Sequence, residues 1–405
     1  MSKHIEYNNM KNHVMSTPIV IVSPSEFPGS SGDTYNFLEL IDQFLLEGFK
    51  VLLICPKSSK NRNLNIGQNN SNLEIVRINY RPPRLNELGK QIKIENYFGF
   101  IWFLLLETYT LLRIIKTKKV KKLYVRHSIL TMQLPILFKL LRVTTLADGE
   151  IVSDTIKHLL PSIFFKLFST YEKNIIRLYS YFKVSSISQL KNLEAVGYPR
   201  GKIIILPISI NTEKITKFRL EEIPEHTFGY FGGLESWQGI DALIKAFKLL
   251  VEKVPSAILY IIGDGSLLNE LQRTVLENNL TANILFVGKI KRERLWEDYF
   301  GKFRIVIIPR QKLNNSIDTI LPIKLVEAMA GGKPIIAMDI PVMREIHGNP
   351  LVLVPSGNPQ LLANAMYSLS TSVDEMRYRS KLSGNSSLNY DIRNNIKKII
   401  LILKH

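Results

Sequence analysis

The chain has 405 residues, is 45% hydrophobic and carries 53 Lys and Arg against 35 Asp and Glu, for a net charge of +18. That length and apolar content exclude a largely disordered protein and leave room for two domains, each with its own core. The surplus of cations points to an anionic partner, but the basic residues are scattered and no nucleic-acid motif with interleaved aromatics accompanies them, which disfavours nucleic acid.

The leader before Met15 has no apolar core of signal-peptide length, so a cytoplasmic protein is expected. PIVIVS, residues 18–23, reads as a strand, and Phe37, Leu40, Ile41, Phe44 and Leu45 recur at helical spacing before Gly48 at the C-cap position. Val51–Ile54 closes a βαβ unit. Gly29 and Gly32 in its first loop do not form a dinucleotide fingerprint and no acid ends the second strand, so a nicotinamide cofactor is disfavoured. The two glycines fit either close approach of a ligand or a permissive turn. Cys55, the single cysteine, permits no internal disulfide and reads as a small buried residue after that strand.

Residues 59–72 and 81–90 read as polar loops, the second with Arg81 and Arg84. A very apolar segment, 97–115, then runs into KTKKVKK, 116–122. Glu107 interrupts it, and it is shorter than the roughly 20 apolar residues a bilayer span needs, so it reads either as a buried helix with a solvated basic end or as a segment lying on an anionic membrane. Strand 122–126, helix 129–141 and strand 143–146 follow, with Arg126, His127 and Asp148-Gly149-Glu150 at strand ends, where ligands gather in parallel sheets. A helix from Ser162 to about Tyr181, a strand KVSSIS, a short helix ended by Gly197 and a strand 202–207 complete a first domain, 1–207. The polar stretch 208–224 reads as a linker.

The second domain, 208–388, opens with TFGYFGGL, a strand ending in Gly232-Gly233 whose bare backbone suits a phosphate, and continues with a helix from Ile240. Strands end again at Gly263-Asp264-Gly265 and at Phe286-Val287-Gly288. The segment FRIVIIPRQKLNNSIDTILPIKLVEAMAGGKPIIAMD, 303–339, reads as strand, helix 322–330 and strand, so the helix N-terminus lies at the carboxyl ends of parallel strands. Lys324 in its first turn and Arg310 at the preceding strand tip suit a diphosphate; Glu327, nearly on the same face as Lys324, suits the hydroxyls of a ribose or sugar. No cluster at metal-ligand spacing stands out. Residues 389–405 read as a basic amphipathic helix.

LPIKLVEAMAGGKPIIA, with the glycine-bearing strand ends before it, resembles the signature region of retaining GT-B glycosyltransferases of family 4, the glycosyl transferases group 1. The likeness is strong over the C-terminal half and diffuse before it. It departs at the first acid of the family's pair, where Thr319 stands beside Asp318, as in the subgroup written PR…D…PLK..EAMA. The resemblance implies an α/β protein of two Rossmann-like parallel-sheet domains facing each other across a cleft, with the last helix packing back toward the hinge or the first domain. It implies a hexosyltransferase that moves a sugar from a nucleotide diphospho-sugar to a glycan or lipid-linked acceptor in polysaccharide biosynthesis, with retention and without a metal. Its residue roles would be Glu327, Asp318 and Asp148 in catalysis, and Lys324, Arg310, Gly232, Gly233, Gly263, Gly265 and Gly288 in donor binding. Relatives often carry Arg and Lys where this chain has Gly233 and Gln238, which keeps a non-catalytic sugar-nucleotide-binding subunit open, and a nucleotide-sugar epimerase shares the architecture. The net charge, residues 97–122 and the basic tail add an anionic membrane surface, on the inner face, as an expected partner.

Overall fold

The computed structural model describes residues 18–24, 32–57, 71–79, 94–149, 151–153, 162–313 and 316–404. Gly29, Arg81, Arg84 and Glu150 lie outside them. The chain divides into two compact units, one comprising 1–185, 189–206 and 395–405, the other 186–188 and 207–394.

The first unit is built on a parallel sheet of β1 (Ile19–Val22), β2 (Val51–Pro56), β3 (Leu73–Ile78), β4 (Lys122–Arg126), β5 (Thr144–Asp148), β6 (Tyr181–Val184) and β7 (Ile203–Ile205), in the order β3-β2-β1-β4-β5-β6-β7. Its strands β1 and β2 are buried throughout, as apolar runs in a sheet covered on both faces must be. Helix α1 (Gly32–Leu46) connects β1 to β2 and buries Phe37, Leu40, Ile41, Phe44 and Leu45, the five positions its periodicity picks out. Among the rightward connections are α2 (Ile94–Thr117) from β3 to β4, α3 (Leu134–Leu140) from β4 to β5, and α4 (Ser162–Ile176) from β5 to β6. Right-handed crossovers put all three on one face of the sheet and the leftward α1 on the other.

Several local expectations need correction. Helix α3 starts at Leu134 rather than Ile129, because Thr131 Oγ1 accepts from the Ser128 amide and donates to the Arg126 carbonyl, closing a turn before Pro135 begins the helix. Helix α4 ends at Ile176, and the strand that follows is Tyr181–Val184, not KVSSIS. Ser185 bonds the Gln189 side chain through both its amide and its hydroxyl at 2.7 Å, a capping contact that starts α5 (Ile187–Ala195) inside the expected strand. Strand β3 was not legible: it is an edge strand, half exposed, with Glu74 and Arg77 facing outward.

The second unit carries a parallel sheet of β8 (Thr227–Phe231), β9 (Ile258–Ile262), β10 (Ile284–Gly288), β11 (Ile305–Ile308), β12 (Ile335–Met338) and β13 (Leu351–Val354), ordered β10-β9-β8-β11-β12-β13. Helices α6 (Ile240–Val251), α7 (Leu268–Glu277), α8 (Ile323–Ala330), α9 (Pro359–Thr371) and α10 (Val373–Ser387) cover it, and α11 (Ile392–Lys404) ends the chain. The stretch expected as a linker is anchored within this unit. Ile210 bridges to Asp391, whose carboxylate accepts from the Thr212 hydroxyl and from Arg393. Residues 395–404 of α11 group with the first unit.

The order of strands reverses between β8 and β11, the position where open α/β sheets leave a crevice beyond their carboxyl ends. The neighbouring strand ends are locked by glycines. The Gly263 position would set a Cβ 1.9 Å from the Gly232 carbonyl oxygen, and its φ of +145° is unfavourable to any other residue; a Cβ at Gly265 would meet the Leu234 backbone at 2.5 Å. Gly263→Ala should therefore lower stability by roughly 2–4 kcal/mol, read as a reduced denaturation midpoint. An unchanged midpoint would show that the two loops have room to part.

Candidate functional site

Helix α8 is buried on all sides, with every residue from Lys324 to Ala330 under 10% exposed, so its sequence is apolar all round except where it carries chemistry. Pro322 precedes it in extended conformation, and no side chain caps its N-terminus. Lys324, one residue into the helix, extends toward the end of β8. Its Nζ donates to the Gln238 Oε1 at 2.8 Å and the Tyr230 hydroxyl at 3.1 Å, and lies 4.4 Å from the centre of the Tyr230 ring. The missing side chain of Gly232 makes the space, since a Cβ there would sit 2.8 Å from that Nζ. Burial pushes the Lys324 ammonium down to about 7, the nearby Arg310 guanidinium pushes the same way, and Glu327 opposes both.

Arg310, just beyond β11, is buried, stacks 5.2 Å from the centre of the Trp237 ring and donates to the Ile320 carbonyl at 2.8 Å. Trp237 thus serves as a platform for a cation. Glu327 is buried one turn beyond Lys324, and its Oε1 accepts from Arg292 Nε at 2.5 Å and Trp296 Nε1 at 3.2 Å. Asp318 is buried and accepts the Leu313 amide through both carboxylate oxygens at 3.1 and 3.0 Å, which fixes the loop between Arg310 and α8. Lys324, Arg310, Gly232, Gln238, Tyr230 and Glu327 therefore belong to one neighbourhood at the reversal of strand order.

Two sequence readings change in detail. The Gly232 amide was expected to face a phosphate, but it donates to the Ile262 carbonyl at 2.9 Å; its contribution is space for Lys324. The Gly263 and Gly265 amides are likewise engaged, with the Gly288 carbonyl at 2.9 Å and the Asp264 side chain at 2.8 Å. Gly233 offers its carbonyl to the Tyr230 hydroxyl at 2.6 Å, and Gly288 ends β10 with a φ of +78°. Sequence reasoning missed Arg292, Trp296 and Tyr230. They meet α8 only through the fold, and nothing local in KRERLWEDYF marks Arg292 as the partner of Glu327. A separate cavity of about 570 Å³ opens past the ends of β11–β13, lined in part by Gln311, Asp339, Arg344 and Asn358, and contains none of the predicted site residues.

Asp148 belongs to the first unit and forms its own cluster. The sheet register sets Arg126, Asp148 and Lys183 abreast at the ends of β4, β5 and β6. Asp148 accepts from the Tyr124 hydroxyl at 2.7 Å and Lys183 at 3.2 Å, with Arg126 at 3.6 Å. Burial works to raise its pKa, but Lys183 and Arg126, with the two hydrogen bonds, outweigh it and hold the carboxyl below its ordinary range. Beside it, His127 is fully enclosed between Glu172 at 3.1 Å and the Tyr179 hydroxyl at 3.4 Å, while Glu172 also accepts the Val152 and Ser153 amides. That arrangement suits a structural histidine. Among the described residues no group of three or more His, Cys, Asp or Glu is placed to hold a metal ion.

The depressed Lys324 has a signed consequence for stability. An unfolded lysine holds its proton up to about 10.4, so between about 7 and that value the folded chain binds one proton fewer, and folding gains stability as pH rises. Lys324→Met removes this titration. The stability of the variant relative to the native chain should be highest at pH 7 and below, then fall by about 1.4 kcal/mol per unit as pH rises toward 10. Urea unfolding of both proteins across that range checks it, and a difference independent of pH would mean that Lys324 is solvated in the folded chain.

Residues 225–372 match the family model described as glycosyl transferases group 1. An uncharacterized glycosyltransferase of Methanocaldococcus jannaschii is 26% identical over 186 residues, 42% of this chain and 44% of that protein. The chain spans less than half the length of the curated relatives it matches. Among solved structures, sucrose-phosphate synthase from Thermosynechococcus elongatus aligns with a TM-score of 0.74 at 17% identity, covering 96% of this chain and 98% of its own. HepE of Anabaena, solved in complex with UDP, aligns with a TM-score of 0.72 at 14% identity over 96% and 99%. At such identities the structural likeness speaks for the fold. The chain has the GT-B fold of two parallel-sheet α/β domains, and within it residues 225–372 carry the signature of the glycosyl transferases group 1.

Proposed function

We propose that the protein is a glycosyltransferase that takes a hexose from a nucleotide diphospho-sugar bound by its second unit and passes it, with retained configuration, to a glycan or lipid-linked acceptor in the cytoplasm. The observation that carries this reading is Lys324: a buried ammonium, depressed to about 7, beside a second buried cation at the uncapped N-terminus of a helix. A cation kept dry and unneutralised by any carboxylate contact has little to gain for folding and much to gain from a diphosphate.

In this reading the diphosphate lies against Lys324, Arg310 and the first turn of α8. As the bond to the sugar breaks, negative charge grows on the leaving oxygen, and groups already fixed and desolvated stabilise it without reorganisation. Glu327, oriented by Arg292 and Trp296 through Oε1, turns its carboxylate to the ribose hydroxyls. Asp318 holds the loop beside the sugar, the strand ends at Gly263, Gly265 and Gly288 border the base, and Asp148 serves the acceptor side from the first unit. The acceptor hydroxyl attacks on the face the leaving group departs from and gives its proton to the departing diphosphate oxygen, so no carboxylate nucleophile is required.

Gln238 favours a second reading, a subunit that binds sugar nucleotides without turning them over, because it stands where relatives carry a cation. Incubation with a panel of nucleotide sugars, UDP-sugars first in view of the Anabaena relative, separates the two. Release of nucleoside diphosphate supports transfer; tight binding with no release supports the subunit. Lys324→Ala should cut release more than a hundredfold, a loss of at least about 3 kcal/mol of transition-state stabilisation. A folded variant with unchanged rate would overturn the assignment.

The same reading assigns the countercharge to protein cations, so a chelator should leave turnover unchanged. Loss of activity in a chelator, restored by magnesium or manganese, would count against it.

A further inference from the structure

The outer faces of α2, α3 and α4 are unusually apolar. Helix α2 exposes Ile101, Trp102, Leu105 and Tyr109, a stripe at i, i+1, i+4 and i+8. The same spacing recurs on α4 in Ile163, Phe164, Leu167 and Tyr171. Between them α3, which packs against both, exposes Ile136 and Leu140. All ten side chains are at least 40% exposed, and the three helices share one face of the sheet, so their outward stripes form one layer.

Charge is sorted on the same helices. Arg113, Lys116, Lys139, Arg142, Lys166 and Lys173 are exposed, and Lys119 and Lys121 follow the end of α2. The carboxylates go the other way. Glu107 is buried, bonded by Gln133 at 2.9 Å and pushed up by burial to about 8, so it is uncharged at neutral pH; Glu172 is enclosed with His127. Among the described side chains of these helices no carboxylate reaches the surface. The acid that interrupts the apolar run in sequence thus points inward and leaves the outward stripe unbroken.

We propose that this three-helix face of the first unit docks on an anionic bilayer surface, the apolar stripes entering the headgroup boundary and the flanking cations meeting lipid phosphates. A protein partner would leave the uniform sign of the rim unexplained, whereas an anionic interface matches it along all three helices. No helix among the described residues is long and apolar enough to cross a membrane, so contact is interfacial. The inference stands independently of the donor site.

The test is co-sedimentation of the full chain with phosphatidylcholine vesicles, with and without phosphatidylglycerol. Binding is expected to the mixed vesicles at low salt, to weaken at high salt, and to fall at least tenfold in the combined variant Trp102→Ser, Phe164→Ser, Leu167→Ser. These positions face solvent, so an unchanged thermal midpoint will certify folding; should the variant misfold, Lys139→Glu with Lys166→Glu tests the same face through charge alone. Lys324→Ala should bind vesicles as the native chain does, which separates failure here from failure of the donor reading. Absence of binding to mixed vesicles, equal binding by the variants, or a native dimer that the variants convert to monomers would overturn the proposal, the last by assigning the face to a second copy of the chain.

Discussion

The second unit is arranged around one buried cation. Lys324 can sit where it does because a glycine follows β8, because Tyr230 turns both ring and hydroxyl toward it, and because Gln238 presents a carbonyl oxygen. Each condition comes from a different segment, and the reversal of strand order between β8 and β11 brings them together. Dehydrating an ammonium is costly, and no carboxylate repays the cost by direct contact. The lowered pKa is the form that cost takes.

Two other buried charges, Lys333 and Asp148, are satisfied within the fold. Lys333 is also buried and pushed down to about 7, but its Nζ donates to the carbonyls of Phe300 and Phe303, ending the segment that leads into β11. Its role is to close a turn. Asp148 is surrounded by Lys183, Arg126 and Tyr124, which makes a stable ionised carboxylate with its charge already balanced. Of the three, Lys324 has the most to gain from an arriving anion.

How much of this was legible in the sequence follows from which interactions are local. The fold was readable because apolar runs ended by glycine or proline mark buried strands, and because Leu243, Ile244, Phe247 and Leu250 mark the buried side of a helix without reference to anything distant. Lys324, Arg310 and Glu327 could be placed because they lie within one strand–helix unit. Arg292 and Tyr230 could not, since they reach α8 across the sheet. Helix α10 carries no such mark in sequence: its inward side is made of Met376, Ser383, Ser386 and Ser387, and serines packed against a surface leave no hydrophobic period. The polar loops gave the least, because backbone hydrogen bonds such as Gly232 to the Ile262 carbonyl are invisible in side-chain chemistry.

Gln238 is the residue whose meaning changes most between sequence and structure. In sequence it reads as a missing cation, a weakening of the site. In the fold its oxygen lies 2.8 Å from Lys324 Nζ. A positive charge at that oxygen's position would repel the ammonium by on the order of 5 kcal/mol at an effective dielectric constant near 20, so a neutral acceptor at 238 suits the observed placement of Lys324. Lys324, accepted by an amide and a phenol, reaches from the helix to the strand end. In the donor site proposed above, the countercharge is a side chain on a buried helix, where its position is fixed by packing.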